Sequence, residues 1–578
     1  MKNRIILILI ILISFAFINA KFLTTAELKT MKEALSVINC SEKDLNFDKK
    51  WGEGELLLQP VKDSLDKPLT LPDISERLKN ELTETPVAAS DNAREILGFE
   101  SSAITVKPIK KFKSKNSDEF INELLIILKY NQNIINSLNI SNEEKKEFYN
   151  TYLGEDEVKR DIILSLNKLP LDNLFLLFKN FYPYFNDIEE ADISFLTDKQ
   201  VTEGDFFISL SKDGNHEYIV GVHPFEIFID LSGDDKYTYS DDYLVNSFHC
   251  ILDFSGNDKY LGAEKRGPGS GLFGIGIIID KQGNDEYLGN DFCFGAAVGG
   301  IGVVIDEGGK DLYRANDFCL AAGYFGLGIL FDYSDDDIFE SSRFSQGFAS
   351  VKGIGVLSDK KGNDIYITGR KVLHQPLYNN HYQSLSQGFS IGMRGEDFAG
   401  GIGLLHDKEG NDKYIGDVYA QGAGYWYALG ILFDESGEDV YSAWIYGQGS
   451  GIHLASGCLI DLKGNDSYTL NDGVGQGGGH DLAVGFLLDR EGNDYYSGSG
   501  ITQGGGHANG IGILIDSSGN DAYSGVKDII QGWGTGDRNS CSFGILLDLG
   551  GNDKYSTQGK DNFIWFGTKY GVGIDKEN

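Results

Sequence analysis

The sequence is poor in cysteine, proline and basic residues, and each shortage excludes a class of protein. Six cysteines in 578 residues are too few for a disulfide framework. Ten prolines beside 74 glycines fit a turn-dense β structure better than a disordered linker, because apolar residues still make up 41% of the chain. The 51 basic and 86 acidic residues leave a formal net charge of −35. This charge argues against nucleic acid as a partner and disfavours anionic lipid surfaces.

Long apolar runs are lacking after the first twenty residues. Residues 1–20 predict an export signal, in which Lys2 and Arg4 provide positive charge before the apolar run Ile5–Phe17. Ala20 is a small residue at the expected cleavage point. An uncleaved membrane anchor is the alternative for this segment. No later segment predicts a transmembrane helix. We therefore expect an exported protein, located in the periplasm, on the cell surface or in the medium.

One motif recurs through the C-terminal two-thirds of the chain: glycine, three apolar residues, Asp, two variable residues, and then Gly-Asn-Asp-x-Tyr. Its first aspartate stands at Asp230, Asp253, Asp280, Asp306, Asp332, Asp359, Asp407, Asp434, Asp461, Asp489, Asp516, Asp548 and Asp575. The step is 26 residues from Asp280 to Asp306 and 28 from Asp461 to Asp489. A nearly fixed period of this size indicates one structural unit stacked many times.

The repeat predicts a mainly β fold, a parallel β-solenoid with coils of about 27 residues, over residues 204–578. Each unit is too short for a propeller blade of about 40 residues and lacks the leucine pattern of leucine-rich repeats. The run before the first aspartate is apolar at every position, so we expect these strands to be covered on both faces. The outer cover would be another sheet of the chain or a partner.

Residues 21–203 lack the repeat and predict a mostly α-helical N-terminal domain. Apolar residues recur at steps of three and four in Asp118–Leu138 and Ser141–Leu166. Ser141 and Glu144 form a predicted capping box. The segment Gln59–Lys115, rich in Pro, Lys and Ser, predicts an irregular connector. One role we consider for this domain is to cap the end of the solenoid.

Alignment of the coils would stack the two aspartates of each motif into two columns. Unit charges 4.8 Å apart repel by about 0.9 kcal/mol in water and by several times more near a protein surface. Summed over about twenty neighbours, this repulsion rivals a typical stability of about 5–15 kcal/mol. Ca²⁺ would offset it, because carboxylate and amide oxygens are its preferred ligands. The predicted Ca²⁺ ligands are Asp280, Asp285, Asp407, Asp412, Asp461, Asp466, Asp489, Asp494, Asp516 and Asp521.

The turns Gly283–Tyr287 and Gly464–Tyr468, both of the form Gly-Asn-Asp-x-Tyr, resemble the hemolysin-type (RTX) calcium repeat. The RTX repeat forms a parallel β-roll loaded with Ca²⁺, so the resemblance implies Ca²⁺ as the cofactor. It covers roughly five residues of each unit. RTX repeats recur about every nine residues, and these turns recur every coil, so the RTX ion geometry does not carry over whole.

Several features allow a purely structural interpretation. Each aspartate could accept backbone N–H groups of its own turn, and the asparagines between the columns could form amide ladders without metal. A column of tyrosines predicts a stacked core or, facing outwards, a platform for sugars.

Cys293 and Cys319 predict a two-rung ladder or a disulfide. His453, His480 and His507 lie at similar positions in successive repeats, which fits a transition-metal site or polar side chains that simply face solvent.

The step from Asp359 to Asp407 is nearly doubled. The additional segment Arg370–Arg394 contains His374, His381 and several aromatic residues, and it predicts a loop that leaves the rod and offers a contact surface. A degenerate coil is the alternative, because Gln387-Gly388 keeps part of the repeat.

The function predicted from these patterns is an exported structural, adhesive or binding scaffold stiffened by Ca²⁺. Its partner would be a polysaccharide or another surface protein. A carbohydrate-active β-helix enzyme, a polysaccharide lyase or hydrolase, is the alternative, with Arg370, Lys371 or Arg394 as the catalytic cation. Periodicity accounts for every aspartate pair, so we assign no catalytic residue.

Overall fold

A computed structural model describes residues 22–47, 54–100, 113–141, 160–240, 246–526, 530–537 and 541–577. The predicted export signal and the capping-box residue Glu144 lie outside this part of the chain. Within it, a helical N-terminal region precedes a parallel β-solenoid of about 13 coils with a repeat of about 27 residues. The predicted fold class is therefore confirmed.

The longest sheet, which we call the Asp sheet, contains the apolar strands that lead to the first aspartate of each motif. Its 16 strands are, in spatial order, Lys199–Glu203, Phe206–Ser211, Phe225–Asp230, Phe248–Asp253, Ile275–Asp280, Ile301–Asp306, Leu327–Asp332, Ile354–Ser358, Ile402–Asp407, Leu429–Asp434, Ser456–Asp461, Val484–Asp489, Ile511–Asp516, Phe543–Asp548, Gly571–Asp575 and Ile564–Thr568. The strands between the two ends pair in parallel, whereas the first and last strands pair antiparallel and form the two edges of the sheet. An exposed strand edge invites pairing with another chain, and the charged residues at both ends of Lys199–Glu203 discourage it.

Two further parallel sheets run along the rod, the Tyr sheet with 13 strands and the Gly sheet with nine. The Tyr sheet follows the acidic turn and contains Glu217–Val220, Lys236–Tyr239, Lys259–Leu261, Glu286–Leu288, Leu312–Arg314, Ile338–Glu340, Ile365–Ile367, Lys413–Ile415, Val440–Ala443, Ser467–Leu470, Tyr495–Gly498, Ala522–Gly525 and Lys554–Tyr555. The Gly sheet contains Gly271–Leu272, Ala297–Val298, Ala322–Tyr324, Phe348–Ala349, Ser390–Ile391, Gly424–Tyr425, Gly451–Ile452, Gly479–His480 and Gly506–His507. The short strands Asp317–Cys319 and Arg343–Ser345 also pair in parallel.

The coils stack in register. Asp280 is the pairing partner of Asp253 on one side and of Asp306 on the other, and Asp306 in turn pairs with Asp332. The predicted alignment of the first aspartates is therefore confirmed.

The described helices lie along the side of the rod, against the Asp sheet, which differs from the cap at the end of the solenoid considered from the sequence. The α-helices are α1 (Thr25–Val37), α2 (Gln59–Asp66), α3 (Leu71–Thr83), α4 (Pro86–Leu97), α5 (Ser117–Asn136), α6 (Arg160–Leu166), α7 (Asp172–Asn186) and α8 (Glu190–Ile193), with 3₁₀ turns at Glu42–Asp44 and Pro68–Thr70. A further 3₁₀ turn, Arg394–Glu396, lies within the solenoid. Helix α1 contacts the last strands of the Asp sheet, α3 the middle ones, and α5 the first. The helices thus cover the rod from its last coil back to its first. None of the helices described is long and apolar enough to cross a membrane.

This arrangement explains why the Asp-sheet strands are apolar at every position. Ile275, Ile277 and Ile279 belong to the core shared with the helices, while Ile278 packs in the interior against the tyrosines. Every residue of the strand Ile275–Asp280 is buried. The expected cover on both faces is therefore present, and the outer cover is the chain's own helical region.

The prediction of an irregular connector over Gln59–Lys115 was wrong. Helices α2, α3 and α4 occupy much of it, and Pro60, Pro72 and Pro86 each stand at the first or second position of one of them. Proline is tolerated there because the first N–H groups of a helix have no partner within the helix. The prolines therefore begin these helices.

The segment Arg370–Arg394 combines both predicted alternatives. Leu373–His374 and Tyr378–Tyr382 form an antiparallel hairpin outside the three stacked sheets. The later part returns to the coil, where Gln387 is fully buried and Ser390–Ile391 joins the Gly sheet. Cys293 and Cys319 are buried, free thiols, as expected for a packed ladder.

Candidate metal sites in the acidic columns

We call the first aspartate of each motif the strand Asp, as in Asp280. The second is the turn Asp, found at Asp235, Asp258, Asp285, Asp311, Asp337, Asp364, Asp412, Asp439, Asp466, Asp494, Asp521 and Asp553. Asp280 Oδ1 accepts the backbone N–H of Gln282 at 3.1 Å, within its own turn. Its Oδ2 accepts the hydroxyl of Tyr260 from the preceding coil at 2.5 Å. The expectation that an aspartate caps its own turn therefore holds for most of this column. Asp407 Oδ1 and Asp489 Oδ1 have no hydrogen-bond partner in the described part of the chain.

The turn Asp behaves differently, because it links neighbouring coils. Asp285 Oδ1 accepts the backbone N–H of Asp258 in the preceding coil at 2.6 Å, and the N–H of Asp285 donates to Asp311 Oδ1 at 2.5 Å. The Oδ2 atom of every turn Asp is buried and has no hydrogen-bond partner within the described ranges. The expectation of capping within the same turn was thus wrong for this column.

The two columns meet in clusters of three carboxylates. One oxygen from each of Asp258, Asp280 and Asp285 lies within 4.8 Å of the others, and the same relation holds one coil further on for Asp285, Asp306 and Asp311. Asp258, Asp280 and Asp285 are each at most 1% exposed. The pairing Asp280/Asp285 predicted from the sequence is therefore part of a triad, whose third member comes from the adjacent coil.

The other predicted ligands occupy equivalent positions. The strand aspartates among them are all buried: Asp407, Asp461, Asp489 and Asp516. The turn aspartates are also buried, and each accepts a backbone N–H from the preceding coil through Oδ1 and has an unpartnered Oδ2: Asp412, Asp466, Asp494 and Asp521. The sequence pairs residues within one turn, and only the stacking of coils reveals that a turn Asp such as Asp285 belongs to two neighbouring clusters.

Burial dominates the electrostatics of these clusters. Desolvation, followed by the charges of Asp285 and Asp306, raises the pKa of Asp280 well above its ordinary value. Burial also raises the pKa of Asp258 and Asp285, although the backbone N–H that each accepts acts in the opposite direction. A carboxylate in this setting either keeps a proton or requires a cation. Each cluster is therefore neutralised either by retained protons or by a cation.

The tyrosines form a continuous stack inside the rod. Tyr260 and Tyr287 have ring centroids 4.7 Å apart and an interplanar angle of 8°, and Tyr496 and Tyr523 are 4.8 Å apart at 4°. Their side chains are at most 1% exposed. The stacked-core interpretation is confirmed, and these rings do not form an outward platform for sugars.

Two amide ladders accompany the carboxylates. Asn520 Nδ2 donates to Asn493 Oδ1 of the preceding coil at 2.8 Å, as the amide-ladder hypothesis expects. A glutamine ladder was missed: buried Gln421 Nε2 donates to the carbonyl oxygens of Tyr414 and Ser442 at 2.9 and 3.0 Å. The recurring Gln-Gly dipeptide was the available sequence signal for it.

The basic residues considered for catalysis lie against the rod. Arg370 pairs with Glu340, and Lys371 Nζ contacts Asn316 Oδ1. Arg394 lies over the ring of Trp426, 5.4 Å from its centroid. Glu340 belongs to the Tyr-sheet strand Ile338–Glu340, which directly follows the acidic turn at Asp337.

Comparison with known proteins gives no match: no family model, no curated protein and no solved structure matches the chain. The geometry of the solenoid therefore carries the functional argument.

Proposed function

We propose that this protein is an exported scaffold whose solenoid binds Ca²⁺ along its acidic columns, with a structural or adhesive role at the cell surface. One observation carries the proposal. Each buried cluster, such as Asp258, Asp280 and Asp285, joins three carboxylates and includes Oδ2 atoms without a hydrogen-bond partner. Such oxygens are strong acceptors that the protein itself leaves unsatisfied.

The donor set fits Ca²⁺ chemically. Ca²⁺ binds oxygen ligands, including carboxylates in one- or two-oxygen mode, and tolerates irregular geometry. A bound ion would neutralise charges that otherwise repel across about 5 Å of low-dielectric interior. Because each cluster takes ligands from two coils, binding would strengthen the contact between those coils.

Native mass spectrometry of the full chain tests this proposal by counting bound Ca²⁺ ions. Asp285 belongs to two of the clusters described above, whereas Asp280 belongs to one of them, so Asp285→Asn should reduce the count by up to two ions and Asp280→Asn by one. Asp336→Asn is the matched control, since Asp336 occupies the exposed asparagine column, where its Oδ1 accepts from Asn363. It removes the same charge and should leave the count unchanged.

A wild-type chain that binds no Ca²⁺, or a count that Asp285→Asn and Asp336→Asn change equally, would overturn the proposal. The first result would mean that protons balance the buried carboxylates. The second would mean that Ca²⁺ binds only through overall negative charge.

We propose the hairpin Leu373–His374 and Tyr378–Tyr382 as the contact surface for a polysaccharide or another surface protein. It leaves the rod, and it presents half-buried rings: His381 stacks on Trp444 with centroids 3.6 Å apart, and Tyr378 meets Trp444 edge-on at 4.5 Å. Replacing the hairpin by a short turn should abolish retention on immobilised polysaccharide without changing the melting temperature. Shortening of that polysaccharide by the wild-type chain would instead favour the alternative, a lyase or hydrolase.

A further inference from the structure

A group of histidines and aspartates lies on the Gly-sheet side of the last coils, on a different sheet of the coil from the strand aspartates. The histidine cluster consists of His453, His480, His507, Asp481 and Asp537. His480 and His507 are direct pairing partners on neighbouring strands, so their imidazoles stack one above the other. The side chains of His453 and His507 are 20% and 25% exposed, which leaves them accessible to a small ion.

The two stacked imidazoles turn the same nitrogen towards each other. His480 Nδ1 lies 2.9 Å from His507 Nδ1, and the rings are 5.0 Å apart at an interplanar angle of 7°. His507 Nε2 lies 3.1 Å from Asp537 Oδ2. A carboxylate only accepts hydrogen bonds, so Nε2 of His507 carries the hydrogen and its Nδ1 carries the lone pair. The 2.9 Å contact is therefore a hydrogen bond from His480 Nδ1 to the lone pair of His507 Nδ1, and an ion bound by both nitrogens would replace its proton.

The third histidine extends the cluster by one coil. His453 Nδ1 lies 2.6 Å from Asp481 Oδ2, so Nδ1 donates and Nε2 is the acceptor nitrogen of this ring. The His453 and His480 ring centroids are 5.7 Å apart. Two of the three histidines thus have a carboxylate that fixes the tautomer and the orientation of the ring, as is usual for histidines that bind metals.

We propose that His480 and His507 chelate a divalent transition-metal ion, such as Cu²⁺, Ni²⁺ or Zn²⁺, through their Nδ1 atoms. A metal–nitrogen bond is about 2.0–2.1 Å long. When two such bonds meet at the metal at roughly a right angle, their nitrogens lie about 2.9 Å apart, which agrees with the observed separation of the two Nδ1 atoms. Imidazole nitrogen suits these metals, whereas Ca²⁺ takes oxygen ligands. The site is therefore chemically distinct from the acidic columns. Asp537 acts on the metal through His507, as a positioning residue.

Isothermal titration with Cu²⁺ tests this proposal, with the full chain kept in saturating Ca²⁺ so that acidic sites are already occupied. We expect one high-affinity Cu²⁺ site in the wild type and its loss in His480→Ala and in His507→Ala. His223→Ala is the matched control, because His223 stacks on Phe207 at the other end of the rod. None of these substitutions removes an acidic residue, so non-specific attraction to the negative chain stays the same.

A second variant separates metal binding from folding. Asp537→Asn should weaken Cu²⁺ binding by about 10- to 100-fold, as losses of such orienting carboxylates do, while the melting temperature in Ca²⁺ stays within a degree or two of wild type. The electron paramagnetic resonance spectrum of the bound Cu²⁺ should show two nitrogen ligands, fewer in His507→Ala. Equal Cu²⁺ affinity in His480→Ala and His223→Ala, or a spectrum without nitrogen ligands, would overturn the proposal.

Discussion

One coil lacks the hydroxyl group that the others have in the tyrosine stack, because Phe339 stands where the neighbouring coils have tyrosine. Tyr313 donates its hydroxyl to the strand Asp332 Oδ2 at 2.6 Å, and the same bond recurs along the rod. Phe339 takes the next place in the stack, with its ring 4.7 Å from Tyr313. It has no hydroxyl, and Asp359 Oδ2 is accordingly buried without a hydrogen-bond partner within the described ranges.

We predict that Phe339→Tyr stabilises the protein. The new hydroxyl would donate to Asp359 Oδ2, and the neighbouring tyrosines show that the stack accommodates this group. Giving a buried, unpartnered oxygen a hydrogen bond contributes about 1–3 kcal/mol, and the free energy of unfolding in urea would measure this gain. Tyr313→Phe removes the equivalent hydroxyl and should lower that free energy by a similar amount. A loss of stability in both variants would contradict the prediction.

At the residue scale, the sequence could predict the two aspartate columns, the tyrosine stack and the asparagine ladder, because all three repeat with the coil. It could not predict that Asp258 joins Asp280 and Asp285, because Asp258 belongs to the preceding coil and only the stacking of the coils brings the three side chains together. Nor could it show the role of Gln421, because nothing in a Gln-Gly dipeptide says which carbonyl oxygens will lie opposite the amide.

Helix α3 is fixed to the middle of the Asp sheet through a small polar cluster. Glu435 Oε1 accepts from Lys79 Nζ of the helix at 2.7 Å and from His406 Nε2 at 3.1 Å. The hydrogen bond from His406 and then the Lys79 ammonium hold the pKa of Glu435 at about 2. Burial lowers the pKa of His406 to about 4, so the imidazole donates in its neutral form.

We predict that Glu435→Ala lowers the free energy of unfolding by about 1–3 kcal/mol, because Lys79 is only 13% exposed and would lose its partner. Glu409→Ala is the matched control. Glu409 pairs with Lys408 on the surface, and such pairs contribute about 0–1 kcal/mol. Urea unfolding of both variants checks the difference. Equal effects would indicate that the cluster does not hold helix α3 to the rod.

At the element scale, the local pattern of apolar residues was sufficient to predict the helices with clear periodicity, such as α5, and the strands of the Asp sheet. It failed where prolines at helix starts resembled loop composition, as at Pro72. It also failed to show what covers the sheet, because the apolar faces of α1 and of the strand Phe543–Asp548 carry no information about each other's position.

The whole rod should respond to pH in a direction that its buried carboxylates determine. Burial raises the pKa of Asp280 and Asp285 in the folded state, whereas an aspartate in the unfolded chain ionises near pH 4. Between these values the folded chain binds more protons than the unfolded chain, so the stability of the metal-free protein falls as pH rises. The contribution is fully present below about pH 4 and is lost as pH passes the raised pKa values.

We therefore predict that the melting temperature of the metal-free protein decreases from pH 5 to pH 8, and that saturating Ca²⁺ reduces this decrease by replacing the protons. Circular dichroism melts at each pH, with chelator or with Ca²⁺, provide the measurement. Asp285→Asn should flatten the metal-free slope more than the control Asp336→Asn, because Asp336 is exposed. A metal-free melting temperature that rises with pH would contradict the prediction.

The most direct measurement is the thermal unfolding of the full chain at neutral pH in chelator, in Ca²⁺ and in Mg²⁺. An ion that binds only the folded state adds RT ln(1 + [L]/Kd) per site, about 2.7 kcal/mol at 100 times Kd, and the sites repeat along the rod. We expect the melting temperature to rise steeply with Ca²⁺, to return on chelation, and to change little with Mg²⁺, which demands regular octahedral geometry. The same melting temperature in all three conditions would show that the acidic columns are balanced without calcium.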